Sequence, residues 1–158
     1  MEDIQGSPTF RVKEFEIAIT HLPMPPSENM AYPTGRNGRR YKSAQLVQFQ
    51  LDIQRYMQIH NREKHLASQI LKTWLMDSMR LSIILNFYFT KQRLISKKGT
   101  TKKLDVTNRL KAICDSISES LDFDDCNFWQ VKCDKSYFGT NHIEWCSIII
   151  RPFTESVF

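Results

Sequence analysis

No apolar run in this chain approaches the roughly 18 residues that a helix needs to span a bilayer, so partners are expected in solution. No C-x-x-C pair occurs among the four cysteines, Cys114, Cys126, Cys133 and Cys146, and the four histidines, His21, His60, His65 and His142, have no ligand spacing. That excludes the usual structural zinc patterns and points to a reduced, intracellular protein. The opening "MEDIQGSP" is acidic where a secretory signal would carry positive charge ahead of an apolar run. Internal repeats and low-complexity tracts are also missing.

What is present fits a single domain, residues 1–158. A chain of 158 residues that is 41% hydrophobic and 11% aromatic can build one ordinary core. Its 22 basic residues exceed 17 acidic ones, giving a net charge of +5 and a pI of about 9.1. That balance favours a polyanionic partner such as nucleic acid or an acidic membrane surface.

A polar tail of residues 1–12 precedes "EFEIAITH", where Phe15, Ile17 and Ile19 alternate with polar residues at the period of a half-buried strand. "LPMPPSEN" then forces an extended, rigid turn, because proline fixes φ and donates no hydrogen bond. "YPTGRNGRRYK" reads as a basic loop or hairpin carrying Arg36, Arg39, Arg40 and Lys42. Ser43 is positioned to cap a helix whose Leu46, Phe49, Ile53, Tyr56 and Met57 recur at helical spacing. A second helical pattern covers residues 66–76, and "MRLSIILNFYFT" reads as a central strand. Residues 91–103, "KQRLISKKGTTKK", contain Lys91, Arg93, Lys97, Lys98, Lys102 and Lys103 and no acid, which predicts a flexible basic loop. "FWQVKCDKSYF" and "IEWCSIIIR" close the chain as strands, with Trp129, Tyr137 and Trp145 expected in the core. Two basic loops in one small domain point toward phosphate contacts.

Between those regions lies "LDVTNRLKAICDSISESLDFDD", residues 104–125. Thr107 stands where an N-cap belongs, and Leu110, Ile113, Cys114, Ile117 and Leu121 form one apolar stripe, so a helix is expected over residues 108–120. Thr107, Lys111 and Asp115 line another side. Lys111 and Asp115 alone read as a surface ion pair, and an acid near the helix start complements its dipole. Asp122, Asp124 and Asp125, however, crowd the negative end against both dipole and mutual repulsion. Carboxylates gathered in this way suit a hard divalent cation, magnesium or manganese, and such ions beside basic loops equip phosphodiester hydrolysis.

The ordered series D-x-T-N-x-x-K-x-x-x-D and D-D, preceded by "LPMPPSEN" and "GRRYKS", resembles the RusA family of Holliday junction resolvases over residues 14–138. The resemblance implies an α+β fold in which helices pack a mixed sheet of about four strands. It implies a Mg2+-dependent endodeoxyribonuclease, with Mn2+ as a substitute, acting on branched or duplex DNA as a homodimer in the cytoplasm of a phage or mobile-element host. Asp105 matches the family's first essential aspartate, Asn108 its asparagine, Lys111 its lysine, Asp115 the acid one turn on, and Asp124 and Asp125 its Asp pair. Thr107 departs from the pattern by replacing a second aspartate. The implied roles are Asp105, Lys111 and Asp125 in catalysis, Asp105, Asp124 and Asp125 as metal ligands, and Thr107, Asn108 and Asp115 in support. The basic loops would grip DNA, and Phe123 and Phe128 could wedge into a junction.

A helix of about 13 residues is roughly 20 Å long. Asp105 and Asp125 can therefore share an ion only if the chain doubles back or a second subunit contributes. Two other readings of the sequence stay open: a nicking endonuclease on duplex or replicating DNA, and a non-catalytic module that binds branched DNA.

Overall fold

A computed structural model describes residues 6–138 and 143–155. One sheet of five strands carries the fold: β1 (Phe10–Lys13), β2 (Glu16–Pro23), β3 (Leu81–Thr90), β4 (Phe128–Phe138) and β5 (Trp145–Pro152). Their order is β1-β2-β5-β3-β4, with β3 and β4 parallel and every other neighbouring pair antiparallel. The fold is thus the expected α+β domain with a mixed sheet, enlarged by one strand. The extra strand is β1, which takes up the end of the stretch expected to be a polar tail. Four residues are too few to display a period of two, yet Phe10 is buried and pairs with Ile19.

β3 is an interior strand, between β5 and β4, with one face fully buried. Leu81, Ile83, Leu85, Phe87 and Phe89 point toward the helices and are fully buried. After the short helix α1 (Glu28–Ala31), helix α2 (Ala44–Ile59) covers this face with the five residues that set its period, all of them buried, and the Ser43 side chain caps it by accepting from the Leu46 N–H at 3.1 Å. Helix α3 (Asn61–Met76) begins about a turn earlier than its apolar pattern indicates, since its first residues, "NREKH", are polar and exposed or half-buried. It buries Ala67, Leu71 and Trp74.

The parallel β3–β4 pair requires a long crossover connection. Residues 91–127 provide it, through the short helix α4 (Lys91–Leu94), a 3-10 turn over Thr107–Arg109, helix α5 (Leu110–Ser120) and a second 3-10 turn over Asp125–Asn127. The acidic segment is therefore the crossover itself. Ile113, Cys114, Ile117 and Leu121 are buried and anchor α5 to the core, while Leu110 packs at its margin.

Several aromatic residues lie elsewhere than expected. Trp129 is 59% and Tyr137 is 46% exposed, both on β4 at the sheet edge, where no sixth strand or helix covers them among the described residues. Phe15 falls in the β1–β2 turn and is exposed. Trp145 is sandwiched between the rings of His21 and Tyr88, each with its centroid 4.0 Å away.

Candidate active site

Helix α5 ends in a Schellman motif: the Phe123 N–H reaches the Ser118 carbonyl at 3.0 Å, and the Asp122 N–H reaches that of Glu119 at 3.4 Å. Asp122 occupies the left-handed position of the motif, φ 59°, which glycine usually fills. Its carboxylate pairs with Lys72 at 3.2 Å. Phe123 then packs edge-on against Phe128, centroids 5.3 Å apart, and both rings lie against the core. They pin the turn that carries Asp124 and Asp125.

That reversal returns the chain alongside α5. Asp125 and Asp115 wall the same pocket, where the charges of Asp115 and Lys111 both act on Asp125. Lys111 Nζ pairs with Asp115 Oδ2 at 3.1 Å, and the Tyr32 hydroxyl donates to the same oxygen at 3.2 Å. Lys111 also lies over the Tyr32 ring, 5.6 Å from its centroid. Lys111, Asp115 and Asp125 thus form one cluster within a single chain, through doubling back.

Asp105 and Asp124 are employed locally. Asp105 Oδ1 accepts from both the Thr107 N–H at 2.9 Å and the Thr107 hydroxyl at 2.6 Å. Thr107, expected to be the cap, is instead the first residue of the 3-10 turn, preceded by Val106, and it donates to Asp105. Asp124 Oδ1 accepts from the Cys126 N–H at 2.9 Å in the same fashion. These bonds hold both carboxyls below the usual carboxylate range. Asp105 has no hydrogen bond or ion pair to Lys111, Asp115 or Asp125, and the expected ligand set Asp105, Asp124 and Asp125 is not assembled. Among the described residues, no three His, Cys, Asp or Glu side chains converge to hold a metal ion.

The electrostatics single out Asp125. Partial burial, followed by the like charge and hydrogen bond of Asp115, pushes its carboxyl above the ordinary range. Lys111 is pushed up as well, first by its hydrogen bond to Asp115. An open pocket of about 620 Å³ lies against this end of α5, walled by Asp115, Glu119, Asp122, Asp124 and Asp125. Two hard carboxylates repelling each other beside an acidic pocket fit a divalent cation that neutralises them. Magnesium in particular takes one or two carboxylates and fills its shell with water and phosphate oxygens.

Tyr32 carries no signal in the sequence, because it lies 83 residues from the Asp115 that it contacts. It also links the cluster to the first basic loop: Arg40 Nε donates to the Tyr32 carbonyl at 3.0 Å, its guanidinium lies over the Tyr32 ring, and Glu28 pairs with it at 3.0 Å. The loop is a hairpin turn closed by a Thr34–Arg40 bridge, with Gly35 N–H to Arg39 O and Gly38 N–H to Gly35 O. The segment expected to be a flexible basic loop folds in the same way after α4. An Ile95–Thr101 bridge closes it, with Ser96 N–H to Thr100 O and Gly99 N–H to Ser96 O. Gly38 at φ 75° and Gly99 at φ 78° take equivalent left-handed positions that a side chain would strain. The two turns expose Arg36 and Arg39 on one side and Lys97 and Lys98 on the other. Lys42, Lys91, Lys102 and Lys103 are exposed too, although Lys102 donates to the Gln92 carbonyl and Arg93 pairs with Glu144.

A mixed sheet with an acidic crossover helix, an Asp–Asp pair beside a lysine, and two cationic turns belong together as a DNA-cutting enzyme. Residues 23–145, most of the chain, match the family Endodeoxyribonuclease RusA, and the chain belongs to that family. It is an endodeoxyribonuclease of the Holliday-junction-resolving type, and branched DNA is its substrate class. A search among curated proteins finds no significant match.

Proposed function

We propose that Asp125 is the centre of the nuclease site and binds a divalent cation, with Asp115 as the neighbouring acid. The observation that carries this reading is the place of Asp125 beside Asp115 on one acidic pocket, where every other aspartate of the segment has a donor or a cation. Asp105 and Asp124 are the remaining candidates for the ion's shell, and Asp105 would exchange its Thr107 bonds for the metal. Mg2+ is the proposed ion and Mn2+ its substitute. When bound, it would supply an activated water and neutralise charge on the phosphate under attack.

The chain's own residues do the rest. Lys111, held by Asp115 and Tyr32, is aimed to stabilise charge on the scissile phosphate, and Asp115 keeps that ammonium in place. Asn108 supports the first turn of the crossover. Thr107 removes one negative charge from the site relative to the family's pattern and steadies Asp105 instead. The exposed bases of the two turns, Arg36, Arg39, Lys97 and Lys98, together with Arg40, Lys42, Lys91, Arg93, Lys102 and Lys103, neutralise backbone phosphates and position the junction arms. The proposed working form is a cytoplasmic homodimer, because a fourfold junction presents two symmetric scissile phosphates.

The test is cleavage of an end-labelled immobile four-way junction beside linear duplex, with Mg2+, Mn2+ or chelator. Paired symmetric incisions in the junction, lost in chelator, are expected. Equal cutting of linear duplex would replace resolution by nicking, and binding without incision in any metal would contradict the site.

A further inference from the structure

Residues 23–26, Pro-Met-Pro-Pro, and helix α2 enclose a second pocket of about 400 Å³, within the range of about 300–1,000 Å³ that small-ligand sites occupy. Met24, Pro26, Met30 and Phe49 give it apolar walls. Three prolines fix the backbone on one side, so that wall is set before any ligand arrives.

The charges in this pocket do not balance. Arg93 and Arg109 both line it, and both guanidiniums lie over the Phe89 ring, 5.7 and 5.5 Å from its centroid. Glu144 pairs with Arg93 at 3.3 Å, while Asp52, the other acid of the lining, is held by Arg55 and Gln48. Two arginines therefore share one glutamate, which leaves one positive charge uncompensated. Arg109 donates to the Pro25 carbonyl, but its Nε is buried with no partner among the described residues. A buried donor without a partner is unfavourable, and a guanidinium suits the oxygens of a phosphate.

The pocket also adjoins the carboxylate cluster. Met30 on its wall is two residues from Tyr32, and Arg109 is two residues from Lys111. Helix α1 leads into the first basic turn, and α4, which carries Arg93, leads into the second. Both cationic turns thus start from its rim.

We propose that this pocket receives one unpaired nucleotide of the junction, with the base between Met30 and the proline wall and the phosphate against Arg93 and Arg109. The inference deepens the reading of the nuclease site and rests on it. Taking a base out of the stack is least unfavourable where the base is already unpaired, and a branch point supplies such bases while a linear duplex must first break a pair. The pocket would therefore favour branched DNA and fix the register of the strand that passes Lys111.

The test places 2-aminopurine, whose fluorescence rises when it leaves the stack, at successive positions around the branch point of a four-way junction. The full chain is added in Ca2+, which keeps binding apart from cleavage. Gln45 is exposed on the wall of the pocket, so Gln45→Trp fills the space without touching the core, and Gln45→Ala controls for the position. A rise at one position per strand is expected, retained in Gln45→Ala and lost in Gln45→Trp. Junction affinity should fall by about fivefold or more in Gln45→Trp, the share of one stacked base, with affinity for linear duplex unchanged. An abasic residue at the responding position should weaken the wild type as much and Gln45→Trp no further. A wild type that binds and cuts the junction with no rise at any position overturns the pocket and leaves the nuclease reading standing. A rise that survives Gln45→Trp puts the base elsewhere and also overturns it. A chain that does not bind the junction overturns both.

Discussion

Asp125 differs from the other four aspartates of the crossover in what surrounds it. Asp105 and Asp124 accept backbone N–H groups two residues on, Asp122 faces Lys72, and Asp115 receives Lys111 and Tyr32. Asp125 meets another carboxylate and sits above the ordinary pKa range. A carboxyl raised by folding contributes stability below its unfolded pKa and loses that contribution as pH rises through the folded value. Asp125→Asn should therefore melt higher than the wild type at about pH 7 in chelator, and the gap should close toward about pH 3, where both side chains are neutral. A variant less stable at neutral pH would contradict the strained pair. Tyr32 has the complementary role of a positioning residue. Tyr32→Phe keeps the ring beneath Arg40 and Lys111 and deletes the bond to Asp115, an interaction worth about 1 kcal/mol, or about fivefold. The loss should fall on kcat, with KM for junction DNA little changed, so a rise in KM alone would reassign Tyr32 to DNA binding.

Helix α5 shows how an element acquires a function from its ends. Its apolar stripe was legible at spacings of three and four, as were the five core residues of α2 and the alternation of β3, because each element buries one continuous face. The acidic cluster and both basic turns were legible as composition. What the sequence does not display is pairing across distance, Tyr32 with Asp115 and Asp125 folded back toward it, nor the local choice by which Thr107 donates to Asp105 and does not cap the helix. β1 is too short to show a period, and the turn structure of the basic segment rests on a bridge and backbone hydrogen bonds, which leave no apolar periodicity. Two predictions belong to this scale. Asp122→Gly should stabilise the protein by about 0.5–1 kcal/mol in denaturant unfolding, since glycine relieves the left-handed position while the exposed Lys72 pair contributes little. Replacing Lys97 and Lys98 together by alanine should reduce the slope of log binding constant against log salt by about two, with affinity falling evenly across sequences. An unchanged slope would remove that turn from the DNA interface.

At the scale of the whole molecule, one acidic pocket is set in a basic chain. The chain is net positive at +5, yet the pocket at the C-terminal end of α5 is walled by five acids. In the proposed reading, DNA drawn by the basic turns would meet carboxylates at the site of cutting, and a divalent cation would offset that conflict of charge. Membership in the RusA family agrees with that division of labour, and no helix among the described residues is long and apolar enough to cross a membrane. Binding and cleavage should therefore separate cleanly. The most direct test is to measure, on one four-way junction, both binding in Ca2+ and cleavage in Mg2+ for wild type and Asp125→Asn. Binding within about twofold and cleavage lower by at least about a hundredfold is the predicted result. An Asp125→Asn variant that still cuts the junction at near the wild-type rate would contradict the account.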